Sequence, residues 1–155
     1  MARVLIIGYG NPLRSDDGLG WQIANELSRS NRCAEIEVLP CPQLTPELAR
    51  AVSAAELVLF IDCVRDGQPG NFHCDELAPQ PGSPSLTHHL TPGALLGLSS
   101  ELYGACPQSY VLTVCGQNFE PGDVLSPVVA AMLGAVKSRV RGLSEECLAG
   151  SVSRH

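Results

Sequence analysis

The 155-residue sequence has few aromatic residues, at 5%, and no excess of positive charge. Lys and Arg number 10 against 16 Asp and Glu, which gives a formal net charge of −6. Proteins that bind nucleic acid through its phosphate backbone normally carry a basic face. The charge balance therefore argues against nucleic acid as a partner.

Long apolar runs and paired cysteine motifs are also missing. No run approaches the roughly 20 apolar residues that a membrane-spanning helix needs. The first residues, "MARVLIIGYG", have the pattern of a strand and not of a secretory leader. The seven cysteines are odd in number and form no Cys-x-x-Cys pair, as is common in reducing compartments. We expect a cytoplasmic protein that has no membrane partner.

Two hydrolase signatures are absent. A Gly-x-Ser-x-Gly elbow would indicate a nucleophilic serine, and a His-Glu-x-x-His helix would indicate a resident catalytic zinc. Cys63 and Cys115 lie in apolar runs, where we expect them to be buried. The sequence thus offers no familiar nucleophile arrangement.

Strand and helix patterns alternate along the chain. Three runs are almost wholly apolar, which is typical of strands buried on both faces. Of two further runs, one alternates polar and apolar residues, and the other has a weaker strand pattern. The predicted strands are 3–8, 34–40, 56–62, 109–116 and, at an edge, 70–77. This alternation predicts an α/β fold: a three-layer sandwich in which helices cover both faces of a mostly parallel sheet of about five strands. We expect residues 1–143 to form one domain and residues 144–155 to be a flexible tail.

Four helix starts have recognisable capping signals. Ser15 precedes an apolar stripe, and three Ser/Thr-Pro pairs place proline at the first helical position. These pairs are Thr45-Pro46, Thr91-Pro92 and Ser126-Pro127. The last pair is predicted to open one amphipathic helix, with an apolar stripe formed by Val129, Leu133, Val136 and Val140.

The stretch "GYGNPLRSDD", residues 8–17, looks at first like a nucleotide-binding turn. A dinucleotide site needs a third glycine where Leu13 stands, and two carboxylates at a helix start would compete with a phosphate. The turn is also similar to the opening of peptidyl-tRNA hydrolases. The region that follows, "LRSDDGLGW", lacks the histidine–asparagine pair of that family, which leaves it as a less favoured alternative. Asp16 is predicted simply to favour the start of a helix.

Three other polar residues are expected at the carboxyl edge of the sheet. Asp17 follows the first strand, Asp62 ends the run "LVLFID", and His89 precedes the helix start at Thr91. Two carboxylates and an imidazole suit a divalent metal such as Zn²⁺ or Ni²⁺, and a three-ligand site leaves positions open for substrate. His88 is the alternative to His89.

Four segments, "VLIIGYGNPLRSDDGLG", "VLFIDCV", "THHLTP" and "GQNFEPGDVLSPVV", resemble in order and spacing the hydrogenase maturation endopeptidases. These enzymes remove a C-terminal extension from the large subunit of nickel–iron hydrogenases. The resemblance spans about residues 3 to 140. It implies that Asp17, Asp62 and His89 are both the metal-binding and the catalytic residues, and that the metal is the nickel carried by the substrate.

The resemblance carries further expectations. The segment "CPQLTPELA", residues 41–49, is similar to the proteases that serve bidirectional NAD-linked hydrogenases, and it would place Gln43 at the rim of the cleft. We interpret Gly18 as leaving room for the substrate. The expected partner is the large-subunit precursor, engaged by a monomer. A nickel-binding chaperone that does not cleave the precursor is the non-enzymatic alternative.

Overall fold

The computed structural model describes residues 2–80 and 90–153. Within them one sheet contains β1 (Val4–Tyr9), β2 (Ile36–Cys41), β3 (Leu57–Val64), β4 (Phe72–Glu76) and β5 (Gln108–Cys115). The strand order is β2-β1-β3-β5-β4. The first four strands in that order are parallel, and β4 pairs antiparallel with β5. The prediction of a mostly parallel sheet is confirmed.

Helices pack on both faces of this sheet, as predicted. They are α1 (Leu19–Ser30), α2 (Ala49–Ala54), α3 (Pro92–Tyr103), α4 (Pro127–Ala130) and α5 (Leu133–Ser153). Short 3₁₀ turns precede α1 and α2, at Ser15–Gly18 and Pro46–Leu48. Apolar residues of α1, α4 and α5 bury one face of the sheet, and those of α2 and α3 bury the other.

The central strands are apolar because they have a helical layer on each side. Along β1, Val4 and Ile6 belong to the cluster under α1 and α5, whereas Leu5 and Ile7 belong to the cluster under α2 and α3. Successive side chains of a strand point to opposite faces, so a strand covered on both sides needs an apolar residue at every position. The continuous apolar run in the sequence has this origin.

The predicted helix starts exist, but their capping side chains behave differently. The Thr91 hydroxyl accepts a hydrogen bond from the backbone N–H of Ala94 (3.1 Å) and so caps α3 as expected. The prediction that Ser15 caps a helix is wrong. Ser15 has a φ of 53°, and its hydroxyl donates to the backbone carbonyl of Glu120 (2.6 Å). A contact more than a hundred residues away in sequence has replaced the local cap.

The predicted amphipathic helix is divided into two. The helical run is interrupted between Ala130 and Leu133, so that α4 is a short segment ahead of α5. Val129 and Val136 are nevertheless buried in the same cluster, on either side of the interruption. The apolar stripe was therefore identified correctly, although the helix that carries it is broken.

The helix α5 also continues through most of the predicted tail. It runs to Ser153. Within that segment Ser144 is buried, donating its hydroxyl to the carbonyl of Val140 (2.8 Å), and Leu148 packs against the core. The expectation of a flexible segment from residue 144 is thus wrong as far as the helix extends. None of the helices that the structure describes combines the length and the apolarity required to cross a bilayer.

The start of α1 lies unusually close to the sheet because two glycines face each other there. A Cβ atom on Gly20 would lie 2.3 Å from the carbonyl oxygen of Ile61 and 2.6 Å from that of Tyr9. A Cβ on Gly8 would lie 2.0 Å from the carbonyl oxygen of Gly20. No side chain fits between these backbones. The close contact brings the turn before α1 next to the carboxyl ends of β1 and β3.

We predict that Gly20→Ala lowers the free energy of unfolding by about 2–3 kcal/mol or more, because the new methyl group meets backbone atoms that cannot move independently. Gly134→Ala in α5 is the matched control, since a Cβ there meets nothing within 4 Å. It should raise stability by about 0.5–1 kcal/mol through helix propensity. Urea unfolding measures both changes. Equal stabilities of the two variants would contradict the close packing.

Candidate active site

A cleft of about 650 Å³ opens at the carboxyl edge of the sheet. Its walls come from the segments that follow β1, β2 and β3, which is where ligands bind in open parallel sheets. Asp17 and Asp62 both line this cleft. The structure therefore brings together two of the three residues predicted from the sequence. Gln43 also lines it, as expected for a residue at its rim.

The turn after β1 fixes the orientation of Asp17. Gly10 has a φ of 143°, and a Cβ on it would lie 1.9 Å from the Asp17 carbonyl oxygen, so only glycine fits. The next backbone N–H, that of Asn11, donates to Oδ2 of Asp17 (2.9 Å). The Asn11 side chain in turn accepts from the N–H of Leu13 (2.9 Å), forming the local turn that such asparagines favour. The glycine turn therefore holds a carboxylate.

The interpretation of Gly18 as room for substrate is wrong. Gly18 is buried, and a Cβ there would lie 2.6 Å from the Cα of Pro12. Gly18 does not line the cleft that holds Asp17 and Asp62. Because Gly18 has no side chain, the turn can pack closely against Pro12.

Asp62 lies near the end of β3 with both carboxylate oxygens hydrogen-bonded. The Tyr9 hydroxyl donates to Oδ2 (2.9 Å), and the N–H of Cys63 donates to Oδ1 (2.7 Å). Burial raises the pKa of Asp62 to about 6, an effect that these two hydrogen bonds oppose and the charge of Asp17 reinforces. Burial, together with the carboxylate of Asp62, also raises the pKa of Tyr9, which keeps its hydroxyl a donor.

His89, the third predicted residue, lies outside the described residues, as does its alternative His88. The next residue in the chain, Leu90, lines the same cleft as Asp17 and Asp62. Across residues 2–80 and 90–153, no group of three or more His, Cys, Asp or Glu side chains is placed to hold a metal ion. The two carboxylates alone provide half of a tetrahedral ligand set, and oxygen donors of this kind suit a divalent cation.

Cys63, beside Asp62, is buried and unsuited to act as a nucleophile. Burial, reinforced by the charges of Asp16, Asp62 and Asp17, raises the pKa of its thiol to about 12. A thiol with such a pKa is almost entirely protonated near neutral pH, whereas the thiolate is the reactive form. Cys115, like Cys63, is buried as predicted.

Asp16 has a structural role that the sequence did not reveal. Its carboxylate is fully buried and accepts four hydrogen bonds. The donors are the N–H groups of Gln117 (2.8 Å), Asn118 (2.8 Å) and Ser126 (2.7 Å), and the Ser126 hydroxyl (2.8 Å). All of them lie in the segment 116–126, between β5 and α4, which we call the β5–α4 loop. Asp16 thus ties the turn that carries Asp17 to a distant loop.

These hydrogen bonds also decide the ionisation of Asp16. Burial by itself would raise its pKa, but the hydrogen bonds from Asn118, Ser126 and Gln117 outweigh burial and lower it. The residue is therefore a buried anion satisfied by backbone donors, and not only an acid that favours a helix start. No local pattern could have found it, because its partners are about a hundred positions away.

Solved structures that share this fold include several hydrogenase maturation proteases. The chain matches the [NiFe] hydrogenase maturation protease HycI from Thermococcus kodakarensis with a TM-score of 0.72, over 90% of each chain and at 20% identity. The maturating endopeptidase HybD from E. coli also gives 0.72, over 93% of each chain and at 21% identity. A hydrogenase 2 maturation peptidase from a Thaumarchaeota archaeon gives 0.67, over 92% of this chain and 98% of the other, at 23% identity.

At these identities the likeness establishes a common fold. The resemblance found in the sequence is thereby confirmed at the level of the fold. No protein-family profile matches the chain, and no curated protein matches it by sequence. The roles of individual residues rest on the geometry of the cleft.

We predict that Asp16→Asn lowers the free energy of unfolding by about 3 kcal/mol at pH 7, because an amide nitrogen then faces backbone donors. Since folding lowers the pKa of Asp16, its ionised form stabilises the protein above the pKa of an unfolded aspartate, about 3.9. That contribution is lost as the pH falls through the native pKa. The difference in the free energy of unfolding between Asp16→Asn and wild type should therefore be smaller at pH 3 than at pH 7.

Urea unfolding between pH 3 and pH 7 measures this difference. Asp75→Asn, at an exposed position of β4, is the control. A difference independent of pH would contradict the ionised state.

Tyr9→Phe should raise the pKa of Asp62 above its value of about 6, because the lost hydrogen bond favours the charged form. Tyr110→Phe is the matched control, since the Tyr110 hydroxyl contacts Gln108 on β5 (2.9 Å). Titration of the Asp62 carboxyl carbon by NMR measures the pKa. An unchanged or lower value in Tyr9→Phe would show that the hydroxyl does not stabilise the carboxylate.

Proposed function

We propose that this chain is an endopeptidase that removes the C-terminal extension of a nickel–iron hydrogenase large-subunit precursor. One observation carries the proposal. Asp17 and Asp62, which the sequence resemblance selects, line one cleft at the carboxyl edge of the sheet, in a chain that shares its fold with solved hydrogenase maturation proteases.

In this proposal the third ligand is His89. Its neighbour Leu90 lines the cleft, and Thr91, the next residue, caps the start of α3. The metal is the nickel of the precursor, so that recognition requires a loaded substrate. Two carboxylates and one imidazole leave coordination positions for the groups that the substrate supplies.

Bound nickel would polarise the scissile carbonyl or lower the pKa of an attacking water. The chain itself presents its carboxylates in fixed orientations. Asn11 holds one oxygen of Asp17, and Tyr9 and Cys63 each hold an oxygen of Asp62. Because a metal ligand must be deprotonated, binding at Asp62 favours its charged form. The raised pKa of the Cys63 thiol argues against a thiolate mechanism.

Several narrower statements belong to the same proposal. The partner is the C-terminal region of the precursor, engaged by a monomer in the cytoplasm. The similarity of the segment 41–49 to proteases of bidirectional NAD-linked hydrogenases supports the placement of the chain in that subgroup. The position of Gln43 on the cleft wall agrees with a contact to substrate from this segment.

The decisive experiment incubates the protein with nickel-loaded and nickel-free precursor and follows the length of the precursor by mass spectrometry. We expect shortening of the loaded form alone. Asp62→Ala, Asp62→Asn, Asp17→Asn and His89→Ala should each reduce the rate at least about a thousandfold, as is usual when a group that acts on the reaction centre is lost.

Asp75→Asn and Cys63→Ala serve as controls and should retain cleavage. Wild-type activity in Asp62→Asn would remove that residue from the mechanism. Binding of the loaded precursor without shortening would favour the nickel-binding chaperone, and release of peptides from tRNA would favour the peptidyl-tRNA hydrolase alternative.

A further inference from the structure

Two arginines, Arg14 and Arg65, line the same cleft as the acidic pair. Both are exposed. Arg3, by comparison, is bound by the carboxylates of Glu35 and Glu56. In the part of the chain that the structure describes, neither Arg14 nor Arg65 has a carboxylate within salt-bridge distance. The segment 81–89 contains no Asp or Glu.

The β5–α4 loop positions both arginines. The guanidinium of Arg65 lies over the ring of Phe119, 4.4 Å from its centroid. Stacking of this kind fixes the plane of a guanidinium and leaves its edge N–H groups available. Arg14 pairs with Gly122 of the same loop in a β-bridge, and the Gly122 N–H donates to the carbonyl of Leu13 (2.9 Å). Asp16 accepts hydrogen bonds from this loop. The loop that contacts both arginines is therefore connected to the turn that carries Asp17.

The arrangement divides the cleft by charge. Asp17 and Asp62 suit a cation, whereas Arg14 and Arg65 suit an anion, in a chain whose net charge is −6. An arginine edge binds a carboxylate through two parallel hydrogen bonds. The anions that a polypeptide ordinarily offers are the carboxylates of Asp, of Glu and of its own C-terminus.

We infer that Arg14 and Arg65 form an anion subsite that binds a carboxylate of the peptide segment to be removed. This rests on the proposed function for the identity of the peptide. The subsite orients the extension relative to the acidic pair, so that the peptide enters the cleft in one direction. The two arginines are specificity residues and do not take part in the bond cleavage.

The test is an NMR titration of the labelled full-length protein with a synthetic peptide that carries the C-terminal extension of a hydrogenase large-subunit precursor. The peptide is made in four forms: native, with Asp and Glu replaced by Asn and Gln, with an amidated C-terminus, and with both changes. We expect Arg14→Gln and Arg65→Gln each to weaken binding of the native peptide about tenfold. Arg139→Gln, an exposed arginine on α5, is the matched control and should bind like wild type.

The fully neutral peptide should bind wild type and both arginine variants equally. Whichever single change abolishes the arginine effect identifies the carboxylate, either a side chain or the terminus. The Arg65 Nε–H signal should shift only with a peptide that keeps this carboxylate. The inference is overturned if wild type does not bind the native peptide, if the arginine variants bind it normally, or if their defect persists on the neutral peptide.

The same variants separate this inference from the proposed function. Arginine-dependent binding of the peptide by a protein that never shortens the loaded precursor would reject the peptidase and retain the subsite. Cleavage of the loaded precursor with the same KM in wild type, Arg14→Gln and Arg65→Gln would retain the peptidase and reject the subsite.

Discussion

The buried carboxylate of Asp16 is the interaction on which the cleft depends. It joins two segments that lie about a hundred residues apart and is the only acid in the described core that accepts four hydrogen bonds. Ser15 reinforces the junction, since its N–H donates to the carbonyl of Gly122 (2.8 Å) and its hydroxyl to that of Glu120. Asp17 follows directly in the chain. A carboxylate that is fully buried thus sets the position of one that faces the cleft.

Asp16 and Asp62 illustrate how the environment of a carboxylate determines its chemical role. Asp16 meets backbone donors, which stabilise its charge and lower its pKa. Asp62, in the same region, is half-buried and accepts from only two donors, and its pKa is raised to about 6. A buried carboxylate whose oxygens already accept hydrogen bonds from the protein has no free acceptor position for a ligand. A carboxylate with unused acceptor capacity in a cleft is the one suited to a cation.

The sequence predicted those features that depend on local pattern. Continuous apolar runs identified β1, β3 and β5, since burial on both faces requires them. Asp17 and Asp62 were expected at one edge because each lies at or just after the carboxyl end of a strand in a parallel sheet. The features that it missed are set by distant partners. The β5–α4 loop determines the role of Asp16 and the unusual conformation of Ser15. Likewise, Cys147 and Leu148 pack against the core and keep α5 helical beyond residue 143, where the sequence predicted a flexible chain end. His89 stays a prediction.

The order of the strands makes β2 and β4 the two edge strands of the sheet. An edge strand exposes unpaired backbone donors and acceptors, to which a strand of another chain can add. Such strand addition is a common route to aggregation. In β2, Pro40 removes one donor and Glu37 adds a charge, whereas β4 has only five residues and ends in Asp75 and Glu76. Both edge strands therefore discourage the addition of a further strand, which limits association of the protein through its sheet.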